Sequence, residues 1–301
     1  MAITYRPGEV ADGPAVYDVF VETTIDLEQR MGLPAAEIIW LDPSFVASYW
    51  QRRQSLFDHL ARTADQFWVA EADGRLIGLA RSSLRDGMRE LLEFFVRPAF
   101  QGQGIGGELL RRAFPADGSQ RRAIIATREM RALARYMKAG VYPRFPIYYL
   151  SRQPEATPFT TDLEFSAVGL EPETLDAIRA IDQAILGFTR DVDHRFLLQD
   201  RQTMLFRRGG QLAGYGYFGK GTGPIALLDA TDFPAVLAWA ESEAAARGDD
   251  FGVQLPLVNR HAVDYLLARG FRLEDFTVFF MSDEPFGRFE NYSFSSPPFF
   301  M

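Results

Sequence analysis

Apolar and polar residues recur along the chain with two different periods, and each change of period predicts a change between helix and strand. Apolar positions three and four residues apart predict helices over 12–32 and 44–63. Alternating positions around an Asp-Gly pair predict a hairpin over 66–84, because Asp-Gly is a strong signal for a tight turn. A strand over 89–96 follows, and the first part of the chain therefore mixes helices with strands.

A glycine-rich segment and a second run of elements complete the first half. A helix is predicted directly after the glycines, and the remaining predictions are a short strand at 3–5, a strand at 121–127, a helix at 129–140 and a strand at 145–150. Residues 151–162 contain two prolines and four Ser or Thr residues, which favours a linker.

The second half repeats this order. The predicted elements are a helix at 172–185, a hairpin at 203–221, a strand at 223–229, a helix at 233–248, a strand at 251–257, a helix at 260–270 and a strand at 276–281. Gly74, Leu76 and Gly78 match Gly210, Leu212 and Gly214 at an offset of 136, whereas Ala132 and Gly140 match Ala262 and Gly270 at an offset of 130. The second half is thus six residues shorter in the interval that holds the glycine segment. We interpret this as a duplicated domain whose second copy has lost the glycine loop; two unrelated domains are the alternative.

The predicted boundaries are a first domain at 1–152, a linker at 153–162 and a second domain with an aromatic tail at 163–301. The composition is globular: of 301 residues, 47% are apolar and 24% charged, and the net charge is −8. No basic run indicates nucleic-acid binding. The absence of cysteine excludes disulfides, thiolate metal sites and cysteine nucleophiles. No signal peptide and no apolar run of about 18 residues is visible, which predicts a cytoplasmic protein without a membrane span.

The glycine segment, QGQGIGG at 101–107, has the composition of a phosphate-binding loop. Residues without Cβ let several backbone N–H groups converge on an anion at the start of a helix. Gly102, Gly104 and Gly107 fit G-x-G-x-x-G, the dinucleotide fingerprint, and Gln101, Gly104 and Gly106 fit Q-x-x-G-x-G. The position after a hairpin and a further strand argues against a dinucleotide fold, where the loop follows the first strand.

The wider run FFVRPAFQGQGIGGELL resembles the acyl-CoA pyrophosphate loop of the GCN5-related N-acetyltransferases (GNAT). The matching residues are Val96, Pro98, Gln101, Gly102, Gly104, Ile105, Gly106, Leu109 and Leu110. The resemblance implies an α+β, three-layer fold class, with two tandem GNAT-like domains that each have a mixed, mostly antiparallel twisted sheet flanked by helices. It also implies acetyl-CoA as co-substrate, held by Phe95, Val96, Gln101, Gly102, Gln103, Gly104, Ile105, Gly106 and Gly107, with the oxyanion donor at Phe95 or Val96.

The same resemblance suggests catalytic residues. EMRALARYMKAGV is similar to a late helix of the family, and Tyr136 takes the position of the acid that protonates the CoA thiolate. Glu129 and Val141 depart from the family's Asn and Phe. Glu90 and Glu93 are candidate bases for the amine, and they should face opposite sides of their strand unless a bulge intervenes. The second copy has Leu266 at the tyrosine position, and Asp229 and Asp232 where phosphates would lie.

The predicted function is acetyl transfer from acetyl-CoA to a small-molecule primary amine by direct attack, with the chemistry in the first domain. Acceptor pockets in the family are built from the first two helices and late loops. A non-catalytic CoA-binding module and an NAD(P)-dependent enzyme are the alternatives. No metal is expected, since Asp191, Asp193 and His194 are better interpreted as a helix start. The aromatic tail is expected to pack on a domain surface or on a partner, and exposed phenylalanines in it would favour a homodimer contact.

Overall fold

The computed structural model describes residues 2–296 and 300–301. It divides into two compact units, Met1–Ala123 and Ile124–Met301. The first unit consists of β1 (Ile3–Pro7), α1 (Gly13–Arg30), α2 (Pro43–Thr63), β2 (Gln66–Ala72), β3 (Arg75–Arg85), β4 (Met88–Val96) and α3 (Ile105–Ala113). Its strands β1, β2, β3 and β4 pair in that order, each antiparallel to the next.

The sheet of the first unit has helices on both faces. Ala80 and Phe94 pack with Leu109 of α3 on one face. On the other face the guanidinium of Arg81 donates a hydrogen bond to the carbonyl of Phe57 in α2, 3.3 Å away. Side chains alternate along a strand, so these neighbouring residues of β3 face opposite helices. The faces decide which residues of β4 can share a site.

Local sequence accounts for these elements. The buried stripe of α1 is formed by Val16, Val19, Phe20 and Thr23, at helical spacing. Asp42 begins α2, because its side chain accepts a hydrogen bond from the backbone N–H of Ser44 at 2.8 Å. The turn between β2 and β3 needs a positive φ at two consecutive residues, and φ is 49° at Asp73 and 75° at Gly74. The predicted helices and hairpin of this unit are confirmed.

The second unit contains five helices and two sheets among the residues that the structure describes. Its elements are β5 (Arg121–Thr127, which crosses the boundary), α4 (Met130–Lys138), β6 (Tyr142–Arg152), β7 (Leu163–Val168), α5 (Pro172–Ile185), α6 (Asp191–Asp200), β8 (Gln202–Arg208), β9 (Gln211–Phe218), β10 (Ile225–Leu227), α7 (Phe233–Arg247), β11 (Phe251–Pro256), α8 (Arg260–Ala268), β12 (Arg272–Ser282) and β13 (Tyr292–Ser293). One sheet has the order β5-β12-β6-β11 and the other the order β13-β10-β9-β8-β7.

Strand β6 lies between two strands from the other half of the sequence. Ile147 is paired with Val278 of β12 on one side and with Pro256 of β11 on the other, both antiparallel. The sequence predicts this strand as the last one of the first half, and the pattern carries no sign of its partners. The domain boundaries at 152 and 163 stay a prediction.

Two details differ from the sequence-based predictions. Strand β7 is missed, because it follows the proline-rich segment without a turn signal of its own. The tail packs on the fold and is not exposed: Phe289, Tyr292 and Phe294 are buried, and Phe289 packs on Phe145 and Phe280 with ring centroids 5.0 and 4.6 Å apart. Exposed tail phenylalanines therefore give no support for a homodimer contact. Residues 297–299 of the tail lie outside the described residues.

Candidate active site

The glycine segment joins β4 to α3 and presents unsatisfied backbone donors. Gly102 and Gly104 have φ of 82° and 84°, which only glycine adopts without strain. Within the part of the chain that the structure describes, the backbone N–H groups of Gly102, Gln103 and Gly104 donate no hydrogen bond. They lie directly before the first turn of α3, in which the N–H groups of Gly107 and Glu108 both donate to the carbonyl of Gly104, at 3.0 and 3.2 Å. Such a turn at a helix start is suited to an anion.

The side chain of Gln101 fixes the start of this loop. Its Nε2 donates a hydrogen bond to the backbone carbonyl of Val96 at 2.9 Å. The backbone N–H of Arg97 donates to the carbonyl of Ile77 on β3 at 2.9 Å. Bonded and non-bonded pairs alternate in an antiparallel ladder, so both polar backbone groups of Val96 point away from β3. Of the two predicted oxyanion donors, Val96 therefore has its N–H directed away from β3, whereas the N–H of Phe95 is directed towards β3.

A β-bulge brings the two candidate bases onto one face of β4. Glu93 pairs with Arg81 and Glu90 pairs with Ser83, and the register shifts between these pairs. Arg81 and Ser83 are two residues apart and share a face, so their partners share it too. This is the face of α1 and α2. The expected opposite orientation holds for a regular strand, and the bulge changes it.

Glu93 forms an ion pair with Arg81, and both side chains are almost completely buried. Burial raises the pKa of the Glu93 carboxyl above its usual value, although the charge of Arg81 opposes the rise. Oε1 of Glu93 accepts no hydrogen bond from any residue that the structure describes. Glu90 is also buried, at 6% exposure. Arg81 is missed by the sequence analysis, because nothing in a strand pattern identifies a buried arginine.

Tyr136 belongs to the second unit, where it lies in α4. Its side chain is buried, and burial raises the pKa of its hydroxyl, so the proton stays on the oxygen at neutral pH. Glu129 begins this helix, since its carboxylate accepts from the backbone N–H of Ala132 at 2.7 Å. Glu129 thereby does the capping work of an Asn, and its departure from the family pattern leaves the helix start intact.

Comparison with known proteins gives these features a family. Residues 33–141 match the family model "Acetyltransferase (GNAT) family". The chain carries a GNAT acetyltransferase domain. The matched domain is that of an acyltransferase, and its residues include Glu90, the whole glycine loop and Tyr136. A search of curated proteins finds no match to the chain.

Solved structures show that the GNAT fold extends over both halves. The chain shares 14% identity and a TM-score of 0.71 with a protein from Pyrococcus horikoshii that is provisionally described as an acetyltransferase, over 96% of this chain and 92% of that one. A tandem GNAT protein from the clavulanic acid biosynthesis pathway shares 14% identity and a TM-score of 0.60, over 94% of this chain and 99% of that one. A GCN5-related N-acetyltransferase from Sphaerobacter thermophilus shares 15% identity and a TM-score of 0.57, over 94% of this chain and 96% of that one. These identities show the fold alone, and they confirm the predicted fold class.

The second half repeats the helix start and the helix end of the first and differs from it at the predicted site positions. Asn259 caps α8 through a hydrogen bond from the N–H of Ala262 at 3.1 Å, and Gly270 ends it at a φ of 83°, as Gly140 ends α4 at 84°. Leu266 is buried at the position of Tyr136. At the start of α7, Asp232 accepts a hydrogen bond from Arg208 at 2.7 Å. The carboxylate of Asp232 is therefore already paired at the start of α7, where the resemblance would place a phosphate.

The helix start at Asp191 is confirmed, and its neighbour His194 belongs to a buried polar cluster. We define this cluster as Asp182, Arg190, His194, Tyr215, Tyr217 and Tyr292, all in the second unit and all almost completely buried. Asp182 accepts from Arg190 Nε at 2.8 Å and lies 2.7 Å from Nε2 of His194, whose Nδ1 is 2.8 Å from the hydroxyl of Tyr217. The sequence missed this cluster because its members come from distant elements.

Two searches of the described residues complete the site. None of the helices in 2–296 is long and apolar enough to cross a membrane. Across the same residues, no group of His, Asp and Glu side chains has the arrangement to hold a metal ion.

Proposed function

We propose that the chain transfers the acetyl group of acetyl-CoA to a primary amine by direct attack in a ternary complex, and that the copy with the glycine loop carries the chemistry. The single observation that carries this proposal is the loop itself. Three consecutive N–H groups without an acceptor precede the start of α3 among the described residues, and two positive φ values hold them there. The pyrophosphate of a CoA thioester fits such donors.

The dinucleotide alternative has less support. A dinucleotide loop follows the first strand of a parallel βαβ unit, whereas β4 is antiparallel to β3 and follows three earlier strands. A non-catalytic CoA-binding module remains as the second candidate, and turnover distinguishes it from an enzyme.

The residues of the site take separate roles in this proposal. The backbone N–H of Val96 points away from β3 and stabilises the negative charge that develops on the thioester oxygen. Glu90 accepts the proton that the ammonium group must lose before its nitrogen can attack. Glu93 forms an ion pair with Arg81, and the positive charge of the partner opposes uptake of a proton by this carboxylate. Tyr136 is protonated at neutral pH and supplies the proton that the departing thiolate takes up.

Exchanging Gly104 for Ala should weaken acetyl-CoA binding about tenfold. An L-residue at this φ carries about 1–2 kcal/mol of strain, which the loop relieves by leaving the donor conformation. At a hundredfold excess over Kd, acetyl-CoA should stabilise the unmodified protein by about 2.7 kcal/mol, and the variant by about 1.4 kcal/mol at the same concentration. Thermal unfolding with and without acetyl-CoA measures both.

Gly74→Ala is the matched control for Gly104→Ala. Gly74 also has a positive φ, of 75°, and a Cβ built at either glycine has no atom within 4 Å. Both variants should lose similar intrinsic stability, but only the Gly104 variant should lose ligand stabilisation. The proposed role of the loop would be contradicted if acetyl-CoA did not raise the unfolding temperature of the unmodified protein. It would also be contradicted if both variants lost the same amount of stabilisation by acetyl-CoA.

Exchanging Glu90 for Gln should lower kcat/KM at pH 7 by about a hundredfold, the lower end for general-base catalysis, because water offers a second route for the proton. The loss should shrink as the pH approaches the pKa of the amine, since more of the acceptor is then already deprotonated. A pH profile of CoA release measures this. A loss that stays constant across the pH range would assign Glu90 to structure instead of proton transfer.

A further inference from the structure

A connected set of aromatic rings lies on the α1 and α2 side of β4. We call Phe20, Trp40, Phe45, Tyr49 and Phe95 the aromatic face. Trp40 contacts Phe20, Phe45 and Tyr49 edge-on, with centroid distances of 5.1, 5.1 and 4.9 Å. Phe20 in turn contacts Phe95 at 5.6 Å. The rings therefore form a continuous path from the segment before α2 to the strand that carries the candidate base.

The aromatic face is not a closed part of the core. Trp40, Phe45, Tyr49 and Phe95 are only half-buried. The residues on either side of Trp40 are more open, with exposed fractions of 53% for Ile39 and 45% for Leu41. Contiguous apolar surface of this kind is uncommon on a soluble domain without a binding role. The first unit thus presents large rings that a flat or bulky apolar group could cover.

One end of the aromatic face carries a buried negative charge. Phe95 and Glu93 are two residues apart on β4 with no bulge between them, so they share a face. Oε1 of Glu93 accepts no hydrogen bond within the described part of the chain, and a buried carboxylate oxygen in this state is costly. A donor with a positive charge would satisfy it. An ammonium group held there would lie beside aromatic rings, which also attract cations.

Positive charges border the same face. Arg52 and Arg53 follow Tyr49 by three and four residues in α2, a spacing that places both side chains on the same side of the helix as the Tyr49 ring. A ligand with one ammonium group can use the carboxylate end. A ligand with further positive charges would be repelled by the two arginines.

We propose that the aromatic face binds the body of the acceptor, and that the acceptor is a primary amine on an aromatic or bulky apolar group without a second positive charge. This inference rests on the proposed acetyl transfer. It names the substrate class through the rings, the Oε1 atom of Glu93 that lacks a hydrogen-bond donor, and the flanking arginines. The ring path places the apolar body of the acceptor next to Phe95 and its nitrogen next to the carboxylates of β4.

Phenethylamine, propylamine and spermidine test the class with acetyl-CoA as donor and CoA release as readout. We expect kcat/KM for phenethylamine to exceed that for either other amine by about tenfold or more, because the phenyl ring is taken out of water. Trp40→Leu should remove this preference, mainly by raising KM for phenethylamine. Trp68→Leu is the matched control, since Trp68 is also half-buried but packs with Ala80 and Leu109 on the other face of the sheet.

Equilibrium dialysis of phenethylamine separates failure of the substrate class from failure of the function. Equal or better turnover of propylamine or spermidine overturns the aromatic acceptor and leaves acetyl transfer standing. If no amine is acetylated, retention of phenethylamine by the unmodified protein and the Trp68 variant, but not by the Trp40 variant, still supports the binding site. Absence of both turnover and retention overturns it.

Discussion

Exchanging Tyr136 for Phe lowers kcat by roughly 10²–10⁴-fold and leaves acetyl-CoA affinity unchanged, if this hydroxyl protonates the departing thiolate. The change removes one oxygen from a ring that stays buried, and Leu266 shows that an apolar side chain is accepted at the equivalent place of the second copy. Burial raises the pKa of Tyr136, so the group is present as a proton donor at neutral pH. Steady-state CoA release and acetyl-CoA titration give the two quantities.

An acetyl thioester with a more acidic thiol makes this test specific. A thiolate of low pKa leaves without protonation. The kcat of the variant should therefore fall little with that donor and much with acetyl-CoA. Tyr142→Phe is a suitable control, because Tyr142 is 51% exposed and lies outside the matched helix. An equal loss with both donors, or a parallel loss of acetyl-CoA affinity, would assign Tyr136 to structure.

Exchanging Asp182 for Asn destabilises the second unit by about 3–5 kcal/mol. The substitution keeps the shape of the side chain but leaves the buried guanidinium of Arg190 without its counter-ion. The hydroxyls of Tyr215 and Tyr292, at 2.9 and 2.8 Å from Nη2 of Arg190, remain as its only partners in the buried polar cluster. Urea unfolding measures the loss.

Asp191→Asn is the control for this substitution. Asp191 also pairs with an arginine, Arg179, but both side chains are partly exposed, at 43% for Arg179 and 32% for Asp191, so loss of this pair should move the unfolding midpoint much less. If both substitutions lowered the free energy of unfolding by the same amount, burial would not be the reason that the Asp182–Arg190 pair stabilises the second unit.

The pH dependence of Asp182→Asn follows from the direction of its pKa shift. Burial alone would raise the pKa of Asp182, but the charges of Arg190 and His194 outweigh it and hold the pKa below the ordinary value of 3.8. A group with a lowered pKa stabilises the fold above that ordinary value and loses this contribution as the pH falls through its folded pKa. The difference between the variant and the unmodified protein should therefore narrow below pH 3.8.

Local patterns in the sequence were sufficient for the loop and for most elements. The Asp-Gly and Gly-Gly turns, the glycines at 102 and 104 and the capped helix before Gly140 are short-range features, because a backbone angle or a helix start depends on a few neighbours. The resemblance to the GNAT loop rested on the same short segment. These parts of the fold could be predicted without tertiary information.

Long-range contacts were beyond such patterns. The orientation of Glu90 and Glu93 depends on a bulge, and the two-residue alternation from which faces are assigned fails at a bulge. The partner of Glu93 is Arg81, and that of His194 is Asp182, both chosen by the packing of separate elements. A buried charge has no local signature, since the sequence pattern of its strand or helix is set by the residues around it.

The placement of β6 has a consequence for the history of this chain. A duplicated gene at first encodes two modules that can be deleted or exchanged one at a time. Once β6 of the first half lies between β11 and β12 of the second, a chain beginning at 163 lacks the strand that joins them. Neither half can therefore be removed at this boundary without opening the sheet between β11 and β12.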